Sequence, residues 1–216
     1  MKKALFFIAS LIFIAQSGYA DSPLTSTDFY RAYLDVPIVK AAADNPNVLT
    51  EEMMDYLYDD ANPLDVKIAL INAVGWDAER RLSTFPNYIT YSINHLDREK
   101  YGFTDKLITP QDLYALSSPD QMAVFVYLHA LSDYSNIMQL YQHAELAMQN
   151  PVNKQSFMLP MALVWAQIKL DLWQWEEIYP SVKMLFLDAE EKDMRPEAIE
   201  IVMDYINEYK EYSDRP

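Results

Sequence analysis

Apolar residues recur at three- and four-residue intervals through most of this 216-residue chain, and strand-like alternation is missing. That period is the signature of amphipathic helices. It predicts helices over 27–43, 50–59, 63–75, 77–95 (bent at Pro86), 119–131, 135–149, 156–170, 174–189 and 196–211, with a short turn of helix over 110–116. Residues 97–109, with Gly102 and alternating charge, read as a loop. Three helix starts share one grammar: Asn62-Pro63-Leu64-Asp65, Thr109-Pro110-Gln111-Asp112 and Ser118-Pro119-Asp120-Gln121. A capping side chain accepts from free backbone N–H groups, proline takes the first helical position, and an acid or amide follows. These motifs are structural and imply no chemistry.

The segment 121–148 can be laid over 159–186 without gaps, an offset of 38 residues. Phe125 meets Leu163, Val126 meets Val164, Tyr127 meets Trp165, Asp133 meets Asp171 and Tyr141 meets Tyr179. Each copy reads as helix, short turn, helix, and Ala69–Ile89 follows a similar plan. Paired helices at such a period are the mark of an αα-solenoid. Ala130-Leu131-Ser132-Asp133-Tyr134 leading to Leu140-Tyr141 and Ala144, with Trp173-Gln174-Trp175-Glu176-Glu177-Ile178 leading to Val182 and Leu185, resembles a tetratricopeptide-type repeat. The resemblance spans about 70 residues. It departs from that family in its spacing and in Ile178, where the family favours alanine. Asp65-Val66-Lys67-Ile68-Ala69-Leu70 equally suits a HEAT-like helix, and two ordinary amphipathic hairpins would give the same pattern. The expected fold is all-α: antiparallel helical hairpins forming a short tetratricopeptide- or HEAT-like solenoid, or an irregular helical bundle. The resemblance implies partner binding on a concave helical face.

The first residues follow different rules. Met1-Lys2-Lys3, an apolar run from Ala4 to Ala15, and small residues at Gly18 and Ala20 read as a secretory signal peptide over 1–20, cleaved between Ala20 and Asp21. The apolar run is too short to span a bilayer. The expectation is a periplasmic or secreted bacterial protein with one all-helical domain over 21–216. The chain has no cysteine, which excludes a lipoprotein anchor, disulfides and cysteine-type zinc sites. No membrane anchor is expected after cleavage. Removing two lysines and no acid takes the net charge from −15 to −17. Such a surface repels nucleic acid and anionic lipid, and it attracts a basic partner.

Only three glycines occur, so β-rich folds and phosphate-cradling glycine loops are not expected. His129 and Asp133 lie four apart, as two ligands on a helix face would, but no third ligand follows in sequence and no metal or cofactor is expected. Glu51, Asp55 and Asp59 fall on one face of a helix whose Met54, Leu57 and Tyr58 point to the core; neighbours on one solvated face are not a hydrolase dyad. Nucleophile motifs are missing, and no catalytic residue is expected. The 16 tyrosines and four tryptophans include a Tyr205, Tyr209, Tyr212 stripe that suits a core. Tyr127, Tyr134 and Trp173 are the expected partner anchors. Arg80-Arg81 is the one adjacent basic pair after the signal. The leading reading is a non-catalytic exported protein that binds a protein or peptide in the cell envelope. The alternatives are a periplasmic immunity or inhibitor protein neutralising a basic toxin or enzyme, and a hydrolase with an all-α site.

Overall fold

The computed structural model describes residues 22–76, 83–133 and 135–214. The segment expected to be a signal peptide, with its expected cleavage point between Ala20 and Asp21, the Arg80-Arg81 pair and Tyr134 lie outside the described residues. Among the described residues the fold is all-helical, as the hydrophobic period predicts. After a short 3-10 turn at Phe29–Tyr33 come α1 (Pro37–Asp44), α2 (Glu51–Tyr58), α3 (Leu64–Val74), α4 (Thr84–His95), α5 (Pro110–Leu116) and α6 (Pro119–Ser132). Then follow α7 (Ile137–Ala147), α8 (Gln155–Asp171), α9 (Ile178–Val182), α10 (Pro196–Ile206) and α11 (Lys210–Ser213). No described helix is long and apolar enough to cross a membrane.

Local chemistry explains most boundaries. Thr109 Oγ1 accepts from the Asp112 N–H while the Asp112 carboxylate accepts from the Thr109 N–H, a reciprocal capping box. Ser118 caps α6 through the Gln121 N–H. The third expected cap is absent: Pro63 holds the cap position of α3, and Asn62 turns back to donate to the Tyr56 carbonyl at 3.0 Å. The single helix expected over 27–43 is broken at Pro37. A proline there lacks the N–H that would continue the helix, and it holds Val36 extended. Pro86 needs no bend, because α4 starts at Thr84 and the proline lies in its first turn.

α3, α6 and α8 form the centre. Almost every residue of each is buried, and each helix touches the other two. A helix apolar on all sides must sit inside a fold. Around this trio, α1 lies on α3, α4 on α6, α7 against both α6 and α8, and α9 on α8. α10 packs on Phe29–Tyr33. There the Arg195 guanidinium lies 4.5 Å from the Tyr33 ring centre, donates to the Ala32 carbonyl at 2.8 Å and pairs with Asp35 at 2.5 Å. In a solenoid each repeat touches only its neighbours. Here, among the described residues, each of the three central helices contacts the other two within an all-α arrangement.

On each central helix a buried amide ties down an outlying segment. Asn72 on α3 donates to the Thr27 carbonyl and to Tyr127 Oη, and accepts from the Tyr30 N–H. Gln121 on α6 donates to the carbonyls of Leu57 and Tyr58 and accepts from Tyr88 Oη. Gln167 on α8 accepts from the Ser22 hydroxyl, which binds the first described residue into the fold. Such groups are tolerated in a core because their hydrogen bonds are satisfied.

Candidate functional site

The C-terminal end of α8 presents an aromatic corner. The chain leaves the helix through a Schellman motif: the Gln174 N–H donates to the Lys169 carbonyl at 2.9 Å, and the Trp173 N–H donates to the Leu170 carbonyl at 3.1 Å. The residue at the turning point of this motif adopts left-handed backbone geometry, which is why glycine usually occupies it. Here it is Trp173, at φ 60°. A bulky side chain in that region is strained by about 1–2 kcal/mol. The side chain does not recover this by burial, since Trp173 is 80% exposed and Leu172 beside it 54%.

Behind its exposed ring the corner is a run of aromatic contacts. Trp173 stacks on Trp175 with 10° between the planes and 5.9 Å between centres. Trp175 in turn meets Tyr212 edge-on at 5.2 Å. Its indole nitrogen is buried without a hydrogen-bond acceptor, a position that an edge-to-face contact with an electron-rich ring suits. Tyr205 and Tyr209 of the expected stripe are buried beneath, their hydroxyls 2.9 Å apart.

Of the two expected anchors among the described residues, Trp173 is at the surface and Tyr127 is not. Tyr127 is a correction: it is fully enclosed at 0% exposure, stacked on Phe29 at 6.2 Å, its hydroxyl accepting from Asn72 Nδ2 at 3.0 Å. An enclosed ring cannot touch a partner. Tyr134 lies outside the described residues. Leu172 and Tyr212 were not among the expected anchors. The signal that could have found the corner is the bulky pair Leu172-Trp173 standing at the end of a long apolar run, where a glycine stop is usual.

Other polar groups stand out among the described residues. His129 is 4% exposed and stacks on Phe85 at 4.7 Å; His143 of α7 lies 4.6 Å from it, and Tyr114 of α5 lies 5.2 Å from His143. Both histidines leave Nδ1 buried without a hydrogen-bond partner. Burial pushes His129 down to about 4, helped by His143 and opposed by Asp133, and burial also lowers His143. Among the described residues no group of three or more histidines or acids could hold a metal ion.

Lys67, on the first turn of α3, is 1% exposed and its amine has no hydrogen-bond partner. Burial lowers its pKa, against the attraction of Asp60, Asp120 and Asp59. A lone buried amine is worse than a matched apolar side chain. Lys67→Met is therefore expected to raise stability by about 1–2 kcal/mol in urea denaturation; a drop would show that the amine is paired in solution.

A cleft of about 630 Å³ runs between α1 and α2. Val36, Pro37, Ile38 and Ala41 form one wall, and Glu52, Asp55, Tyr56 and Asp59 the other. Asp55 accepts from the Tyr91 hydroxyl. The core side of α2 is made by Met53 and Leu57; Met54 and Tyr58, expected there, are half-buried. The carboxylates of Glu52, Asp55 and Asp59 follow one another along one face of α2.

Comparison with protein-family models, with curated proteins and with solved structures finds no match to this chain.

Proposed function

We propose that this protein is a non-catalytic binding module of the bacterial cell envelope that engages a protein or peptide through Leu172, Trp173 and Trp175. The observation that carries the reading is Trp173. A tryptophan held in strained left-handed geometry, exposed, and backed by a second tryptophan has no packing reason to be there. Strain of this kind clusters at functional sites, and exposed tryptophans are the commonest binding anchors. The stack also lowers the entropy lost on binding, because the ring is already positioned.

Export is supported by Lys2-Lys3, the apolar run and the small residues at Gly18 and Ala20. N-terminal sequencing of the protein from an envelope fraction is expected to read Asp21-Ser22-Pro23; retention of Met1 would remove the export reading. For the binding role, immobilised mature protein is compared with its Trp173→Ala variant on the same envelope fraction. Partner capture that survives the substitution unchanged would overturn the role of the corner.

A further inference from the structure

The charge around the Trp173 corner says what it would bind, an inference that rests on the binding role proposed above. One face of the Trp173 indole is taken by Trp175, and with the residue four-fifths exposed the other face opens to solvent. The face of an indole is electron-rich and attracts cations, arginine most of all. Asp171, Glu176 and Glu177 are exposed within a few residues of it in sequence. The cation nearest in sequence, Lys169, is already engaged: its ammonium lies 2.5 Å from Glu177 and 3.0 Å from the Gln174 amide oxygen. No ion pair is recorded for Asp171 or Glu176 among the described residues, and Asp171 accepts only the neutral Gln167 amide. The exposed aromatic plate is thus flanked in sequence by two carboxylates for which the described residues show no ion pair, on a chain of net charge −15.

We infer that the partner presents a basic segment, with an arginine guanidinium stacked on the open face of Trp173 and held at its edge by Asp171 or Glu176. Guanidinium suits this arrangement because it is planar, weakly hydrated and able to fork onto a carboxylate while stacked. The molecule already uses the same contact internally, with Arg195 over Tyr33 and Lys210 over Tyr179. A neutral glycan could also lie on an exposed indole and donate its hydroxyls to the carboxylates, but it carries no positive charge to compensate them. The net acidity adds long-range attraction for a basic partner and sets the salt dependence of the encounter.

The test is calorimetric titration of the full mature chain with three probes. They are a Gly/Ser peptide carrying arginines and one leucine, the same peptide with glutamates in place of the arginines, and a β-1,4-linked N-acetylglucosamine oligomer. The arginine peptide is expected to bind and the other two are not. Its affinity should fall several-fold as NaCl rises from about 0.05 to about 0.3 M, about tenfold in Trp173→Ala, and measurably in Glu176→Gln, which leaves the aromatic plate intact. Binding of the arginine peptide that is indifferent to Trp173→Ala overturns the inference, since the charge would then be read elsewhere, as in the α1–α2 cleft. Binding of the sugar alone, or of neither peptide, overturns it too. If envelope capture depends on Trp173 while the arginine peptide fails, the basic partner is wrong and the binding role stands. If capture ignores Trp173, the role itself falls.

Discussion

Trp173→Gly is expected to give a protein that is slightly more stable and binds its partner far more weakly. Glycine adopts the left-handed turn of the Schellman motif without strain, which removes about 1–2 kcal/mol of unfavourable conformation. Against this, the offset stack on Trp175 is lost, worth about 0.5 kcal/mol at so exposed a site, and the unfolded chain gains some freedom. The balance is a gain of about 0.5–1 kcal/mol, or a melting temperature higher by about 1–3 °C for a domain of this size. Trp173→Ala separates the terms: it loses the stack and keeps most of the strain, so it should be no more stable than the parent. Both variants should lose partner affinity by about 2–4 kcal/mol, roughly 30-fold or more, as removal of a central tryptophan anchor does. Thermal denaturation and a capture assay on the three proteins check both halves. A glycine variant that is destabilised by more than the alanine variant would show that the indole packs into the fold in solution.

Acid is expected to destabilise the fold through the His129–His143 pair before most carboxylates titrate. In the unfolded chain each imidazole takes up a proton near pH 6.5. In the folded protein His129 resists protonation down to about pH 4, because burial and the neighbouring His143 oppose a charge there. Above pH 6.5 both states are neutral and the pair leaves stability independent of pH. Between 6.5 and 4 the unfolded state binds protons that the folded state refuses, so stability falls as pH falls. For His129 alone the loss reaches about 3 kcal/mol by pH 4, where its contribution levels off. The lowered pKa of His143 acts in the same direction.

The groups around the pair explain why nothing rescues it. Asp133, at the end of α6, is the charge that favours protonation of His129, and it is the weakest of the three influences. From α4 come Phe85 and Thr84, which are uncharged; from α5 comes Tyr114, which burial holds neutral up to about 12. Urea denaturation at several values between pH 7 and 4 should show the fall in the parent protein and a much flatter profile in His129→Leu. The carboxylates with depressed values, Asp35 and Asp112, lose their contribution only at the acid end of this range and below, and they are common to both proteins. Parallel profiles for the two proteins would mean that the imidazole is hydrated or paired in solution.

What could be read along the chain and what could not divide at particular residues. The capping box at Thr109 and Asp112 and the cap at Ser118 were legible because each is closed by side chains within four residues of one another. Asn62 belongs to the same motif on paper, yet it bonds the Tyr56 carbonyl, and nothing local distinguishes that choice. The helix expected through Pro37 failed on a rule visible in the sequence, the extended geometry that proline imposes on Val36. Tyr127 failed for another reason. α6 is apolar on every side, so helical spacing shows which of its residues share a face and not which face, if any, meets water. Trp173 was legible as an aromatic in a turn, but its exposure follows from a backbone angle that glycine-free sequence does not announce.

By itself, then, the sequence determined the helices, most of their starts, the absence of cysteine chemistry and the acidity of the surface. These depend on backbone donors met by nearby side chains, on a repeating apolar period and on simple composition. Tertiary structure alone decided that α3, α6 and α8 form the centre, that α10 meets the Phe29–Tyr33 turn beside the Arg195–Tyr33 contact, and that Lys67 and His129 are sealed in while Trp173 is turned out. Each of these rests on contacts between residues far apart in the chain, where burial, and not residue type, sets what a side chain can do.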